Sequence, residues 1–274
     1  MKKILALLLA LLMLALTMVA CTSTEDGTTG DLGTGENEDE AKTHQPTENN
    51  PYEDSFEYEY VGKDIKITGF SGSAEMHTVT VPSKIGEINV VEIGEEAFDN
   101  CPNISEVIIP EGIKVIGDCA FASCVELTKV TLPSTLESIG IAAFAECEKL
   151  AVIEGLSTSA VTEIGSTAFY KCVALTVVEL PAGLTEIEAA TFADCTALTT
   201  VVMGDAITKI GGQAFFDCSA LELTALPASV VELGSGAFGN CNPEYMEILK
   251  ASISEDMTYP VGVTIDHVFV VLDK

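Results

Sequence analysis

Apolar residues recur along this chain with a fixed period. Phenylalanine is followed three residues later by cysteine seven times: Phe98/Cys101, Phe121/Cys124, Phe144/Cys147, Phe169/Cys172, Phe192/Cys195, Phe215/Cys218 and Phe238/Cys241. Successive phenylalanines lie 23, 23, 25, 23, 23 and 23 residues apart. A period in this range marks a solenoid, in which each unit buries its apolar face only against its neighbours. One unit reads Leu127, Val130, Leu132, Pro133, Leu136, Ile139, Gly140, Ala143, Phe144, Cys147. Val130 to Leu132 alternate in and out as a short strand must. A proline then ends the strand at Pro110, Pro133, Pro181 and Pro227, because it cannot donate to a ladder. An Ile-Gly pair marks a second bend, where glycine suggests a backbone conformation that a side chain would resist. One short helical turn around Ala-Phe and the cysteine closes the coil, since about 23 residues leave no room for a long helix.

The register slips in three places. A two-residue insertion around Gly155–Ala160 should form a surface bulge, Glu188 stands where the fifth unit should have glycine, and Gly204 replaces a strand-ending proline. Both ends need caps, because a terminal coil would otherwise expose its apolar side. Phe56, Tyr58 and Tyr60 alternate with polar residues, Gly62-Lys63-Asp64 breaks the run, and Ile65 and Ile67 alternate again. That pattern predicts a β-hairpin. Val261, Val263 and Ile265, followed by the apolar run Val268–Leu272, predict a second small strand pair at the far end.

The pattern L-x-x-V-x-L-P-x-x-L-x-x-I-G-x-x-A-F-x-x-C resembles the BspA-type leucine-rich repeat of bacterial surface proteins, over about residues 79–241. The resemblance implies a right-handed repeat coil with a parallel sheet on its concave face and short helical turns on the other side. It also implies that the concave sheet is the binding surface and that a partner is a matrix or envelope protein or a glycan, with adhesin-like attachment. On the strands, the residues facing outward are Ile108, Thr131, Glu154, Glu179 and Val202, with Ala225 after them. Glu106, Lys129, Val152, Val177 and Thr200 border the same face. An ordinary solvated strand face accounts for any one of these positions. Apolar residues grouped in solvent, as at Ile108, Val152, Val177 and Val202, instead point to contact with a partner.

The N-terminus has Lys2-Lys3, a charge-free apolar stretch from Ile4 to Val19, then Ala20-Cys21. This is the layout of a secretory signal, too short for the ~20 apolar residues that span a bilayer. The cysteine after Ala20 resembles a bacterial lipobox, with Met18 where leucine is more usual, so Cys21 is expected to carry lipid. From Thr22 to Asp54 there are ten acidic residues and one lysine, with almost nothing to form a core. Such composition does not fold on its own. The expected organisation is a signal peptide (1–20), an acidic linker (21–55), a hairpin cap (56–78), repeats (79–241) and a C-terminal cap (242–274). The protein is expected to be exported and lipid-anchored to the cell membrane, facing outside the cytoplasm.

Net charge is −29 with no arginine, which excludes ordinary nucleic-acid binding, where phosphate contacts supply most of the affinity. Nine cysteines in an exported chain raise the question of disulfides. Seven of them occupy one equivalent position per coil, where cysteine suits the role of a small buried hydrophobe. Buried thiols are therefore expected, with disulfides between rungs the alternative, and Cys119, off the ladder, as the most exposed thiol. No C-x-x-C pair, nucleophile elbow, phosphate loop or metal-ligating histidine motif is present, so no cofactor, no metal and no catalysis are expected. The alternative to an adhesin-like binder is a structural lipoprotein that organises the cell envelope without a host ligand.

Overall fold

The computed structural model describes residues 53–72 and 75–269, which belong to one compact unit, Pro46–Lys274. The expected signal, Cys21 and nearly all of the linker lie outside the described residues.

Two ladders of short parallel strands run along the solenoid. The first contains Thr78–Thr80, Glu106–Ile108, Lys129–Thr131 and Val152–Glu154 in one sheet, then Val177–Glu179 and Thr200–Val202 in another. The second contains Ile88–Ile93, Val115–Ile116, Ser138–Ile139 and Glu163–Ile164, then Glu186–Ile187, Lys209–Ile210 and Glu232–Leu233. Register is rung on rung: Val107 opposes Val130, and Ile116 opposes Ile139. Inward residues are therefore stacked and buried, apart from the half-buried Ile153, while their neighbours face out.

Helical turns are minor in the repeats; Leu156–Thr158 is a short 3-10 helix in the segment Gly155–Ala160 that takes up the two extra residues. The arc around Ala-Phe is a run of tight turns with two left-handed residues per coil. These are Glu96 and Asn100 in the first coil, Cys119 and Ser123 in the second, and the equivalent pair in each later one, at φ of 51–60° apart from Gly236 at 66°. Alternating backbone hand turns successive N–H groups in different directions. Glu96, Phe98 and Asn100 donate to Asp118, Ala120 and Ala122 of the next coil at 2.7–2.9 Å, while Asp99 donates back to Glu96 at 3.0 Å. The arc thus forms a third hydrogen-bonded ladder without being a strand.

The Ile-Gly glycine has a different purpose from the one expected of it. Gly117, Gly140, Gly165 and Gly211 do not have positive φ. They are required because the backbones of adjacent coils touch there. A β-carbon on Gly140 would lie 2.6 Å from the Asp118 nitrogen, and one on Gly165 would lie 2.6 Å from that of Ile141. Glu188 shows the consequence of a side chain at this position. Gly165 N–H reaches Ile139 at 2.9 Å and Gly211 N–H reaches Ile187 at 2.7 Å, but no backbone hydrogen bond joins Glu163–Ile164 to Glu186–Ile187 among the described residues. The first ladder parts at the same seam, beside the insertion, where Gly155 takes φ 86° and Leu156 tucks into the core. The arc holds across it: Phe169 N–H still meets Thr191 at 2.9 Å. Gly204 keeps the turn that proline makes elsewhere, with Ile207 N–H donating to it at 3.3 Å as Leu184 does to Pro181 at 3.2 Å.

At the centre lies a phenylalanine stack. Rings from Phe98 to Phe238 sit 4.7–5.5 Å apart, within 16° of parallel. Each end of the stack gains one further ring. Phe70 stacks on Phe98 at 5.0 Å and Phe269 on Phe238 at 5.7 Å. The hairpin of Phe56–Val61 and Asp64–Phe70 thus closes the first coil with Phe70 and Phe56. The other end is helical where the first strand of the expected pair, Val261 to Ile265, was placed; of the apolar run Val268–Leu272, residues 270–272 lie outside the described residues. Asn242 accepts from Glu244 N–H at 3.2 Å to start the helix Pro243–Ser252, which buries Met246 and Leu249. Val261 lies in a turn with Gly262 at φ 83° and is fully exposed, and Ile265 opens the short helix Ile265–Val268. Alternation misled here because those residues span a tight turn and a helix start, each with its own spacing of buried positions.

Gly140→Ala should destabilise the fold by about 1–3 kcal/mol in denaturant melts, because backbone rather than a flexible side chain must move. Glu188→Gly should let the second ladder close, read as slower amide exchange at residue 188 with little change in melting temperature, since glycine adds entropy to the unfolded chain.

Candidate functional site

The five sequence-derived residues share one outward face of the first ladder. Ile108, Thr131 and Glu154 are in direct register, and Glu179 is in register with Val202 beyond the seam. Ile108 and Thr131 are half-buried, while Glu154, Glu179 and Val202 are exposed. The bordering row runs Glu106, Lys129, Val152, then Val177 and Thr200.

The face has two halves. In the first, Lys129 lies between Glu154 at 3.0 Å and Glu106 at 3.5 Å, and Thr131 donates to Glu154 at 3.3 Å. The hydrogen bond from Lys129 holds the Glu154 carboxyl below its ordinary range. In the second, beyond the seam, Val177 and Val202 are 48 % and 51 % exposed, and Val152, at the edge of the first, is 43 % exposed. The three valines sit on strands rather than loops and form a small apolar patch across the seam. The first ladder stops after Thr200–Val202, because Thr224 stands where earlier coils place Val107, Val130, Ile153, Val178 and Val201.

Sequence reasoning missed a groove of about 600 Å³ on the second ladder, lined by Asp118, Ser138, Thr162, Glu163, Ser166 and Glu188 among others. Gly117, Gly140 and Gly165 also line it. The signal was in the sequence: a row of residues without side chains leaves a trough. Asp118 is engaged there, accepting from Ile141 N–H at 2.7 Å.

The cysteines are part of the scaffold. Each thiol from Cys124 to Cys241 donates to the phenylalanine carbonyl of the preceding coil, Cys124 to Phe98 at 3.1 Å and Cys241 to Phe215 at 2.9 Å. All seven ladder cysteines are free thiols. Burial pushes Cys101, Cys195 and Cys241 up to about 12. Cys119, expected at the surface, is only 1 % exposed. Its left-handed backbone turns it away from solvent, as at Ala142 and Ala190, the equivalent buried positions of later coils. The half-buried ladder thiol is Cys101, in the first coil. His77 Nδ1 lies 3.0 Å from the Asn103 carbonyl, and His267 Nδ1 accepts from Thr264 N–H at 3.0 Å. Among the described residues no group of three or more His, Cys, Asp or Glu side chains is arranged to hold a metal ion, and no helix is long and apolar enough to cross a membrane.

Comparison with known proteins places this geometry. The model of the BspA-type leucine-rich repeat region, in six copies, matches residues 54–157 and 155–257. The chain belongs to that family. A leucine-rich cell surface protein of Faecalibacterium prausnitzii is similar in structure, with TM-score 0.62 and 33 % identity over 68 % of this chain and 51 % of that one. This chain therefore spans about half the length of that relative. A Treponema pallidum leucine-rich repeat protein matches with TM-score 0.49 and 28 % identity, over 61 % of this chain and 88 % of that one. No curated protein matches the chain.

Thiol alkylation mapped by mass spectrometry should label Cys101 first in the folded protein and the other six ladder cysteines only after unfolding. With the Cys101, Cys195 and Cys241 thiols pushed up to about 12 by burial, almost no thiolate exists on them at pH 8, so their labelling should rise as alkali deprotonates them or opens the fold. Fast native labelling of Cys172 or Cys218 would contradict a buried ladder.

Proposed function

We propose that this is an exported bacterial surface lipoprotein whose first-ladder face is an adhesin-like platform for a protein or glycan partner. The observation that carries this reading is the exposure of three valines on the outward face, Val152 and Val177 in the bordering row and Val202 in the row of Glu179. Ile108, Thr131, Glu154 and Glu179 complete the contact row, so the partner meets a polar, carboxylate-bearing half and an apolar half. A rigid sheet loses little conformational entropy on binding, which favours recognition by a pre-formed surface. The relative from Faecalibacterium, named a cell surface protein, supports the location. In this reading residues 1–20 direct export, Cys21 carries the lipid, the acidic linker 21–55 tethers the repeats, and the capped solenoid from 56 to 274 presents the face.

Val202→Lys should leave the melting temperature nearly unchanged because that side chain is exposed, and Ile108→Lys, at a half-buried position, should cost about 1 kcal/mol of stability. They should weaken attachment to the matrix or envelope component recovered by the isolated protein, by about 1 kcal/mol or more each. Phe169→Ala removes a ring from the stack and should cost about 3–5 kcal/mol of stability, with binding lost through unfolding. Attachment unchanged in both lysine variants would reject the first-ladder face.

The anchor has its own test. Cys21→Ala should abolish incorporation of labelled fatty acid and release the protein from the membrane fraction. Unchanged labelling and membrane retention would refute it.

A further inference from the structure

The N-terminal end of the stack is finished differently from the C-terminal end. The strand Phe56–Val61 is the last member of its sheet: one edge pairs with Asp64–Phe70, and no strand pairs with the other among the described residues. Six residues make an edge of ~20 Å, long compared with the two- and three-residue rungs that follow Ile88–Ile93 in the ladders. Tyr58 and Tyr60 lie opposite Ile67 and Ile65, so they share the face that the core occupies one strand further in. Ile65 and Ile67 are buried there, whereas Tyr58 is 37 % and Tyr60 64 % exposed. The two rings touch edge to face at 6.3 Å. Val61 is exposed beside them. The strand therefore offers unpaired backbone groups along its edge and an uncovered aromatic surface under it, which is what an added strand would satisfy.

Charge decides the occupant. Glu57 lies against Gly69 and no lysine pairs with it among the described ion pairs; Glu59 pairs with Lys66 at 2.5 Å. A second copy would bring the same carboxylates against these, on a chain of net charge −29. The preceding segment, Thr22 to Asp54, has ten acidic residues and one lysine, and meets the same repulsion. The other sheet ends among the described residues are strands of two or three residues, and the one at Thr200–Val202 is followed by residues bound to it, with Glu222 N–H donating to Thr199 at 2.9 Å. We propose that the free edge of Phe56–Val61 binds an extended segment of a partner protein in which basic and apolar residues alternate, adding it to the sheet as a further strand. The apolar side chains of that segment cover Tyr58 and Tyr60, and its cations meet Glu57 and Glu59. This site is separate from the first-ladder face and does not depend on that face binding anything.

The test is titration of the full chain with an octapeptide of alternating valine and lysine, followed by amide exchange. Expected are saturable binding and slowed exchange at residues 56–61, no binding of the valine–glutamate counterpart, and affinity about tenfold weaker or worse in a Glu57→Lys, Glu59→Lys double variant. Tyr58→Ala with Tyr60→Ala should weaken binding while an unchanged melting temperature shows the hairpin intact, and Val202→Lys should leave it unaltered. Absence of saturable binding, equal affinity in the charge-reversed variant, or protection at residues other than 56–61 would overturn the proposal. Protection of residues 56–61 that rises with protein concentration in the absence of peptide would overturn it in favour of a second copy.

Discussion

Backbone contact between consecutive coils constrains the rest of this molecule. Hydrogen bonds of 2.7–3.3 Å join consecutive coils along the arc at every step and along the two ladders on either side of one seam, so every coil must trace nearly the same path as its neighbour. A path repeated at that spacing leaves no place for a β-carbon where backbones converge, and the Ile-Gly glycine answers that need. It also stacks identical side chains directly over one another. Phenylalanine suits such a stack because flat rings pack face to face at the separation the backbone imposes. Cysteine suits the next position because it is small and its thiol can reach the carbonyl of the coil before.

The seam between the fourth and fifth coils shows how local the constraint is. One glutamate in place of glycine, with a two-residue insertion nearby, parts both ladders while the arc and the ring stack pass through unbroken. Repeat stability is a sum of neighbour terms, so a weak interface is tolerated when one of its three ladders survives. The apolar patch lies across this seam: Val152 is on one side, Val177 and Val202 on the other. A contact surface there would rest on the part of the sheet with the fewest backbone bonds behind it.

The period, the first strand of each coil and the buried cysteine row were legible in the sequence because each follows from a spacing that repeats; the second strand, as at Ser138–Ile139, was not, because two residues before a glycine read as a bend. The left-handed pairs in the arc were not, since they fall on residues as different as Glu146, Lys171 and Asp194, and no side-chain chemistry marks them. Glycine was visible but its reason was not: a lone sequence cannot distinguish a turn that needs φ > 0 from a place where another backbone passes. Phe70 and Phe269 were hidden because each lies outside the period, yet each completes the stack. The outward row from Ile108 to Val202 could be read from alternation alone, whereas the trough over Gly117, Gly140 and Gly165 required knowing that those glycines stack.

Lysine placement connects the charge of the chain to its surfaces. The five lysines from Lys114 to Lys209 each pair with a glutamate one coil away: Lys114 with Glu137, Lys129 with Glu106 and Glu154, Lys149 with Glu126, Lys171 with Glu146, Lys209 with Glu186. Exposed pairs of this kind add little stability individually. Their effect on the field is larger, because they leave the excess carboxylates as the net charge any partner meets. Like-charged copies repel, so an open strand at one end and exposed valines on one face can persist without self-association. At the other end, where a helix and Phe269 cover the last coil, no such protection is needed. A uniformly acidic surface therefore selects among partners before any contact forms, favouring those that bring the cations this chain has already paired.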